Sequence, residues 1–174
     1  MESNTTSVST TSVGLRYGLL TGLVSIIISF GLFVAHQETS PLRYATFAVL
    51  IAGMVLAMKY FKQNNQGFMS FGQGVGIGAV LSAVVGVLTG IFSYVYMSFI
   101  DPEVVGRMTE KIRADMEARG GMTDEQIDQA MAMSAKFMNG PFTLIAAVLG
   151  TVLVGVVLAM VISAFIKNAQ PEFE

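Results

Sequence analysis

Long uninterrupted apolar stretches dominate the pattern of this chain, and polar positions gather between them. Residues 17–35 (YGLLTGLVSIIISFGLFVA) contain no charge. Residues 41–61 carry Arg43 and Lys59 only near their ends, and residues 70–100 and 141–166 are uncharged throughout. A bilayer core about 30 Å thick needs roughly twenty helical residues at about 1.5 Å each, so all four stretches predict membrane-spanning helices. Their starts carry local signals. Ser40-Pro41 sets a capping hydroxyl before a proline that has no N–H to lose at a first helical position. Ser70 and Gln73 have capping-box spacing, and Asn139-Gly140-Pro141 opens the fourth stretch in the style of the second. Tyr17, Tyr44, Tyr60, Tyr94 and Tyr96 fall near the inferred water–lipid boundaries, where an amphipathic ring prefers to lie. The first stretch exceeds the roughly 7–15 apolar residues of a signal peptide and lacks a small-x-small cleavage site, so it is expected to be a retained helix.

The pattern changes at Asp101. Val104, Met108, Ile112 and Met116 recur every four residues beside a second series of Glu103, Arg107, Lys111, Asp115 and Arg119. That is an amphipathic helix with i,i+4 charge pairing, opened by Asp101-Pro102-Glu103 and stopped by Gly120-Gly121. A second helix starts at Thr123 with Gln126 in the capping-box position and places Ile127, Ala130, Met131, Ser134 and Phe137 on one face. The predicted fold is therefore all-α: an integral membrane four-helix bundle with an amphipathic helical hairpin, residues 101–140, between the third and fourth spans. A tail over residues 1–15, rich in serine and threonine, is expected to be disordered, and residues 167–174 form a short tail after the membrane domain of residues 16–166.

Composition sharpens this picture. Only 13% of the 174 residues are charged, half the share of an ordinary soluble domain, and 13 of the 22 charges lie between Asp101 and Lys136. That distribution excludes a soluble domain and a basic nucleic-acid binder. With no cysteine, disulfides, thiolate metal sites and cysteine nucleophiles are excluded too. Four spans put both termini on one side, flanked by Arg16, Lys59, Lys62 and Lys167. The other side holds Arg43, Lys136 and the loop cations Arg107, Lys111, Arg113 and Arg119. Weighting the tight flanks above the loop cations, which are interleaved with acids, places both termini in the cytoplasm.

Twelve of the 18 glycines lie within the spans. Gly14, Gly18 and Gly22 repeat every four residues, as do Gly74, Gly78, Ser82, Gly86 and Gly90. Ala147, Thr151, Gly155, Ala159 and Ser163 continue the theme in the fourth span. Lipid offers no hydrophobic drive between helices, so small residues four apart serve close backbone approach. Gly18, Gly22, Gly74, Gly78, Gly86, Gly90 and Gly155 are the candidate helix-packing positions, with spare glycine faces available to a second copy or another membrane protein.

Candidate chemistry is sparse. GQGVGIG (72–78) lacks the strand and turn of a nucleotide loop, and no ionisable group sits in the middle of a span. The interior polar groups are hydroxyls, among them Ser25, Ser29, Ser82 and Thr151, able to bond a carbonyl one turn back or to line a solute path. His36, the one histidine, is expected to be exposed in the turn HQETSP beside Glu38 and has no second ligand at metal-binding spacing. Met131 and Met133 are two apart on a helix and point in different directions, so no soft-metal site is expected. No catalytic residue, metal or cofactor is assigned, and no enzyme is expected.

MSFGQG (69–74) before the third span and SYVYMSFIDPE (93–103) closing it, with the four-span layout and the acidic helical loop, resemble a bacterial membrane family, domain of unknown function 4199. The resemblance covers about residues 16–166 and implies a four-helix inner-membrane protein of Gram-negative bacteria with no assigned activity. It also implies a role for the span-to-loop junction Phe99, Ile100, Asp101, Pro102 and Glu103. Two functions follow as expectations. One is a non-enzymatic scaffold or assembly subunit, binding a partner through the 101–140 hairpin. The other is a small passive channel or solute carrier using the glycine and hydroxyl faces.

Overall fold

The computed structural model describes residues 8–138 and 141–168. They fold as six α-helices: α1 (Thr10–Val34), α2 (Ala45–Asn64), α3 (Phe71–Val95), α4 (Glu103–Arg119), α5 (Asp124–Met138) and α6 (Pro141–Ile166). Four helical segments are long and apolar enough to cross a membrane: Thr10–Val34, Pro41–Asn64, Phe71–Ile100 and Leu144–Ile166.

The boundaries follow local chemistry. The helix α1 starts at Thr10, which corrects the expectation of a disordered tail over residues 10–15; residues 1–7 of that tail lie outside the described residues. The reason is packing, because Val13 and Gly14 are buried against the Ile77–Val80 turn of α3, and helix is retained wherever that contact holds it. Pro41–Tyr44 form a 3₁₀ turn rather than the first turn of α2, with Ser40 Oγ accepting the Leu42 N–H at 3.3 Å. The capping box of α3 is complete: Ser70 Oγ accepts the Gln73 N–H at 3.2 Å, and Gln73 Oε1 accepts the Ser70 N–H at 2.8 Å. Thr123 and Gln126 make the same exchange at the start of α5. Gly120 and Gly121 end α4 at φ values of 66° and 84°, in the left-handed region that glycine enters without a Cβ penalty. The Asn139-Gly140 start signal lies outside the described residues.

The helix α3 is central, packing along both α1 and α6, while α2 closes against α1 and reaches α3 and α6. The small residues lie in these seams. A Cβ added at Gly18 would meet Val84, and one at Gly22 would meet Leu88. Gly74 faces Ser163, Gly78 faces Ala159, Gly155 faces Ser82, and Gly53 faces Thr21. Gly86 lies against Val148 and Thr151, whereas Gly90 leaves ordinary van der Waals room to Val148 and Leu144. Methionines fill the gaps these backbones leave, with Met54, Met58 and Met69 fully buried beside Phe61, Ile77 and Leu81. Outward faces such as Leu19, Leu23, Ile27, Leu149, Leu153 and Val157 are exposed, the surface a lipid solvent requires.

One end of the molecule is closed. Met69 and Asn168 exchange two backbone hydrogen bonds of 2.9 Å, and Lys62 Nζ donates to the Ile166 carbonyl at 3.1 Å. Arg16 lies over the Tyr60 ring at 5.6 Å. The opposite end carries the α4–α5 hairpin.

Candidate functional site

At the hairpin end the chain leaves α1 through a turn in which His36 adopts a φ of 51° and Gln37 N–H bonds the Leu32 carbonyl at 2.8 Å. That turn exposes His36 and folds Glu38 inward, leaving its side chain 3% exposed. Glu38 Oε1 accepts a hydrogen bond from Arg107 Nε of α4 at 2.7 Å. The same guanidinium donates through Nη2 to Asp101 Oδ2 at 2.8 Å, so one cation bridges two carboxylates. The hydrogen bond from Arg107 holds the Asp101 carboxyl below its ordinary range, and the paired carboxylates in turn raise the Arg107 guanidinium. Glu38 Oε2 is buried and has no hydrogen-bond partner. A buried carboxylate oxygen without a donor is costly.

The junction between α3 and α4 positions these groups. Tyr96–Ile100 form a π-helical turn closed by the Asp101 N–H to the Tyr96 carbonyl at 2.9 Å. The turn directs Tyr96 onto Phe33, with ring centroids 4.7 Å apart, and Val104 buries itself in the same aromatic cluster. Asp101 Oδ1 accepts the Glu103 N–H at 3.2 Å, so one side chain both caps α4 and holds Arg107. Phe99 and Ile100 point outward, Phe99 being 75% exposed, and Pro102 and Glu103 are also exposed. Within the junction, then, Asp101 is the residue that reaches the Arg107–Glu38 ion pair.

One cavity adjoins this cluster, and a second adjoins the first. The smaller, about 240 Å³, is lined by Glu38, Arg43, Phe33, Met97, Met108 and Ser93 among others. The larger, about 450 Å³, lies among α1, α2, α3 and α6 and is lined by Ser25, Ser29, Thr46, Thr89 and Thr151 with apolar neighbours. Ser29 and Thr46 belong to both walls, so the cavities adjoin there. Ser25, Thr46, Thr89 and Thr151 each donate to a carbonyl of their own chain three or four residues back, at 2.7–2.9 Å. Their oxygen lone pairs remain available to a donor in the cavity. Ser82 stands outside it, packed against Gly155 and bonded to the Gly78 carbonyl at 2.8 Å.

The helix pair α2–α6 explains why space persists here. Met54 lies beside Gly155, Met58 receives a weak hydrogen bond from Ser163, and Lys62 holds the end of α6. Toward the hairpin, Ala146, Ala147 and Gly150 of α6 are exposed along the cavity mouth, and nothing lies within 4 Å of a Cβ built on Gly150. Among the described residues no three His, Asp or Glu side chains gather as a metal site. Sequence reasoning named Ser25, Ser29 and Thr151 as possible lining but missed Glu38, whose partner Arg107 lies 69 residues away. The available signal was an acid three residues beyond a span in a chain so short of charge.

The fold and site thus define an all-α integral membrane protein with a largely apolar, hydroxyl-bearing recess among its spans. The chain belongs to the family described as protein of unknown function (DUF4199), whose model matches residues 16–168. No curated protein and no solved structure matches it.

Proposed function

We propose that this protein is a small non-enzymatic solute carrier or passive channel that takes a ligand into the recess among its four spans. The observation that carries this reading is the cavity of about 450 Å³ lined by hydroxyls from four helices and sharing Ser29 and Thr46 with the smaller cavity at the hairpin end. Recesses of this size and mixed lining are typical of ligand sites. The cysteine-free sequence makes the test clean. Single variants Ser29→Cys and Thr151→Cys in vesicles should react with a small membrane-impermeant thiol reagent added on the hairpin side, while Ser82→Cys should not. Failure of both cavity positions to label would sink the reading.

A second reading has the hairpin recruit a partner, either another membrane protein or a second copy. It is favoured by the exposure of Met122 and Met133 on a hairpin tied together by Arg113 and Asp128 at 2.9 Å. Deleting residues 103–138 should then abolish crosslinking to that partner while insertion survives; crosslinks that persist count against it. In either case we place the protein in the inner membrane of a Gram-negative bacterium with both termini cytoplasmic. The lipid bilayer is its surrounding partner, with no nucleic acid involved.

A further inference from the structure

The unpartnered Glu38 Oε2 can be assigned a ligand by its chemistry. Resting on the recess as a ligand site, we infer that it holds a compound bearing a primary ammonium group, seated on Glu38 Oε2 in the smaller cavity. Three observations converge. Oε2 is buried, lies in a side chain 3% exposed, and lacks any hydrogen-bond donor, while its twin Oε1 is committed to Arg107 at 2.7 Å. In the ion-pair group, two carboxylates, Glu38 and Asp101, share the single guanidinium of Arg107, and of the three side chains Glu38 is the deeply buried one. Glu38 is one of the residues lining a cavity of about 240 Å³.

A cation with N–H bonds supplies the missing donor, and a charge-assisted hydrogen bond to a carboxylate is stronger than a neutral one. Arg43 lines the same cavity, so an anionic group carried on the ligand finds a guanidinium there. The ligand is thereby specified as a zwitterion with ammonium and anionic ends, of the kind found in an ethanolamine phosphate group. Two sources offer this chemistry. The headgroup of an aminophospholipid could enter sideways, since the larger cavity is bordered by Ala146, Ala147, Gly150 and the exposed Phe47 and Val154 on a face that meets lipid. Free phosphoethanolamine could arrive from water at the hairpin end.

The test uses the full chain in nanodiscs made from equimolar phosphatidylethanolamine, its N,N-dimethyl derivative and phosphatidylcholine with matched acyl chains. These headgroups share charge and differ in N–H count. Lipid retained on the released protein is read by native mass spectrometry. Retention of phosphatidylethanolamine over phosphatidylcholine by about tenfold is expected, the value of one charge-assisted hydrogen bond, with the dimethyl lipid between them. In a second arm, phosphoethanolamine is titrated onto protein in pure phosphatidylcholine nanodiscs. Saturable binding there, with no lipid preference in the first arm, assigns the soluble source. Glu38→Gln, verified as helical and monodisperse, should abolish whichever preference is seen. Equal retention of all three lipids with no phosphoethanolamine binding overturns the inference. So does a preference that survives in Glu38→Gln. Because cavity access is read separately by thiol labelling, a labelled but indifferent cavity refutes the ammonium assignment alone.

Discussion

The two ends of this molecule are built from the same four helices and pack in opposite ways. At the end holding both described termini, three small residues of α6 press on partners in α3: Gly155 on Ser82, Ala159 on Gly78, Ser163 on Gly74. The buried side chains of Met54, Met58 and Met69 fill what remains. At the hairpin end, α6 continues the small-residue theme with Ala146, Ala147 and Gly150, but a cavity separates them from Thr46, Phe47 and Leu50 of α2, and nothing lies within 4 Å of a Cβ built on Gly150. Small residues therefore do not by themselves mean close contact. They close a seam where the facing helix supplies a complementary ridge, and they leave a recess where it does not.

The sharpest way to break this comparison is to overfill the closed end. Gly155→Leu should cost about 3 kcal/mol or more, because its Cβ alone would overlap Ser82 and the packed seam cannot absorb the rest. Thermal unfolding in detergent checks it, and an unchanged midpoint would show that this seam is loose. Next in size is Arg107→Ala, which strands the buried Glu38 carboxylate. Amide exchange in α4 should accelerate while α2 and α6 around Met58 stay protected. Glu38→Ala/Arg107→Ala should be milder than Arg107→Ala alone, since an unpaired buried charge costs more than an absent pair. A double variant at least as unstable as the single one would contradict that account.

A smaller effect has the opposite sign. Gly150→Ala should stabilise by up to about 1 kcal/mol through helix propensity, as its Cβ meets open space. Gly155→Ala, one and a half turns along the same helix, should destabilise; equal shifts for the two would erase the distinction between the ends. The least effect is expected from acid. Asp101 is held below its ordinary 3.8, so its contribution to docking α4 is complete above that value and fades only as pH falls beneath it. Exchange in α4, corrected for intrinsic rate, should therefore stay constant from pH 7 to about 5 and rise only near pH 3.

Much of the fold was legible in the sequence because uncharged runs of twenty residues have few physical solutions. The family assignment, the four spans and the capping boxes at Ser70 and Thr123 were readable from local pattern. The start of α1 was not, because Thr10–Ser12 are polar and are kept helical by the burial of Val13 and Gly14 beside them. Nor was the site. Hydroxyls announce only that they can line a cavity or bond their own helix, and Ser82 and Ser25 look alike until the facing helix is known. Glu38 was placed beside an exposed histidine in a turn, and only a contact across 69 residues makes it the buried member of that pair.

The antiparallel link between Met69 and Asn168 has a consequence for how the protein is made. The first three spans emerge in sequence, but the face of α3 bearing Gly74, Gly78 and Ser82 has no partner until α6 follows. Synthesis from Ile100 to Ile166 takes roughly 3 to 13 s at about 5–20 residues per second. For that interval a notched apolar helix stands open in the bilayer, ready to accept any other small-faced span. The final stitch at Asn168 is then the event that commits the chain to its own fourth span rather than a neighbour's.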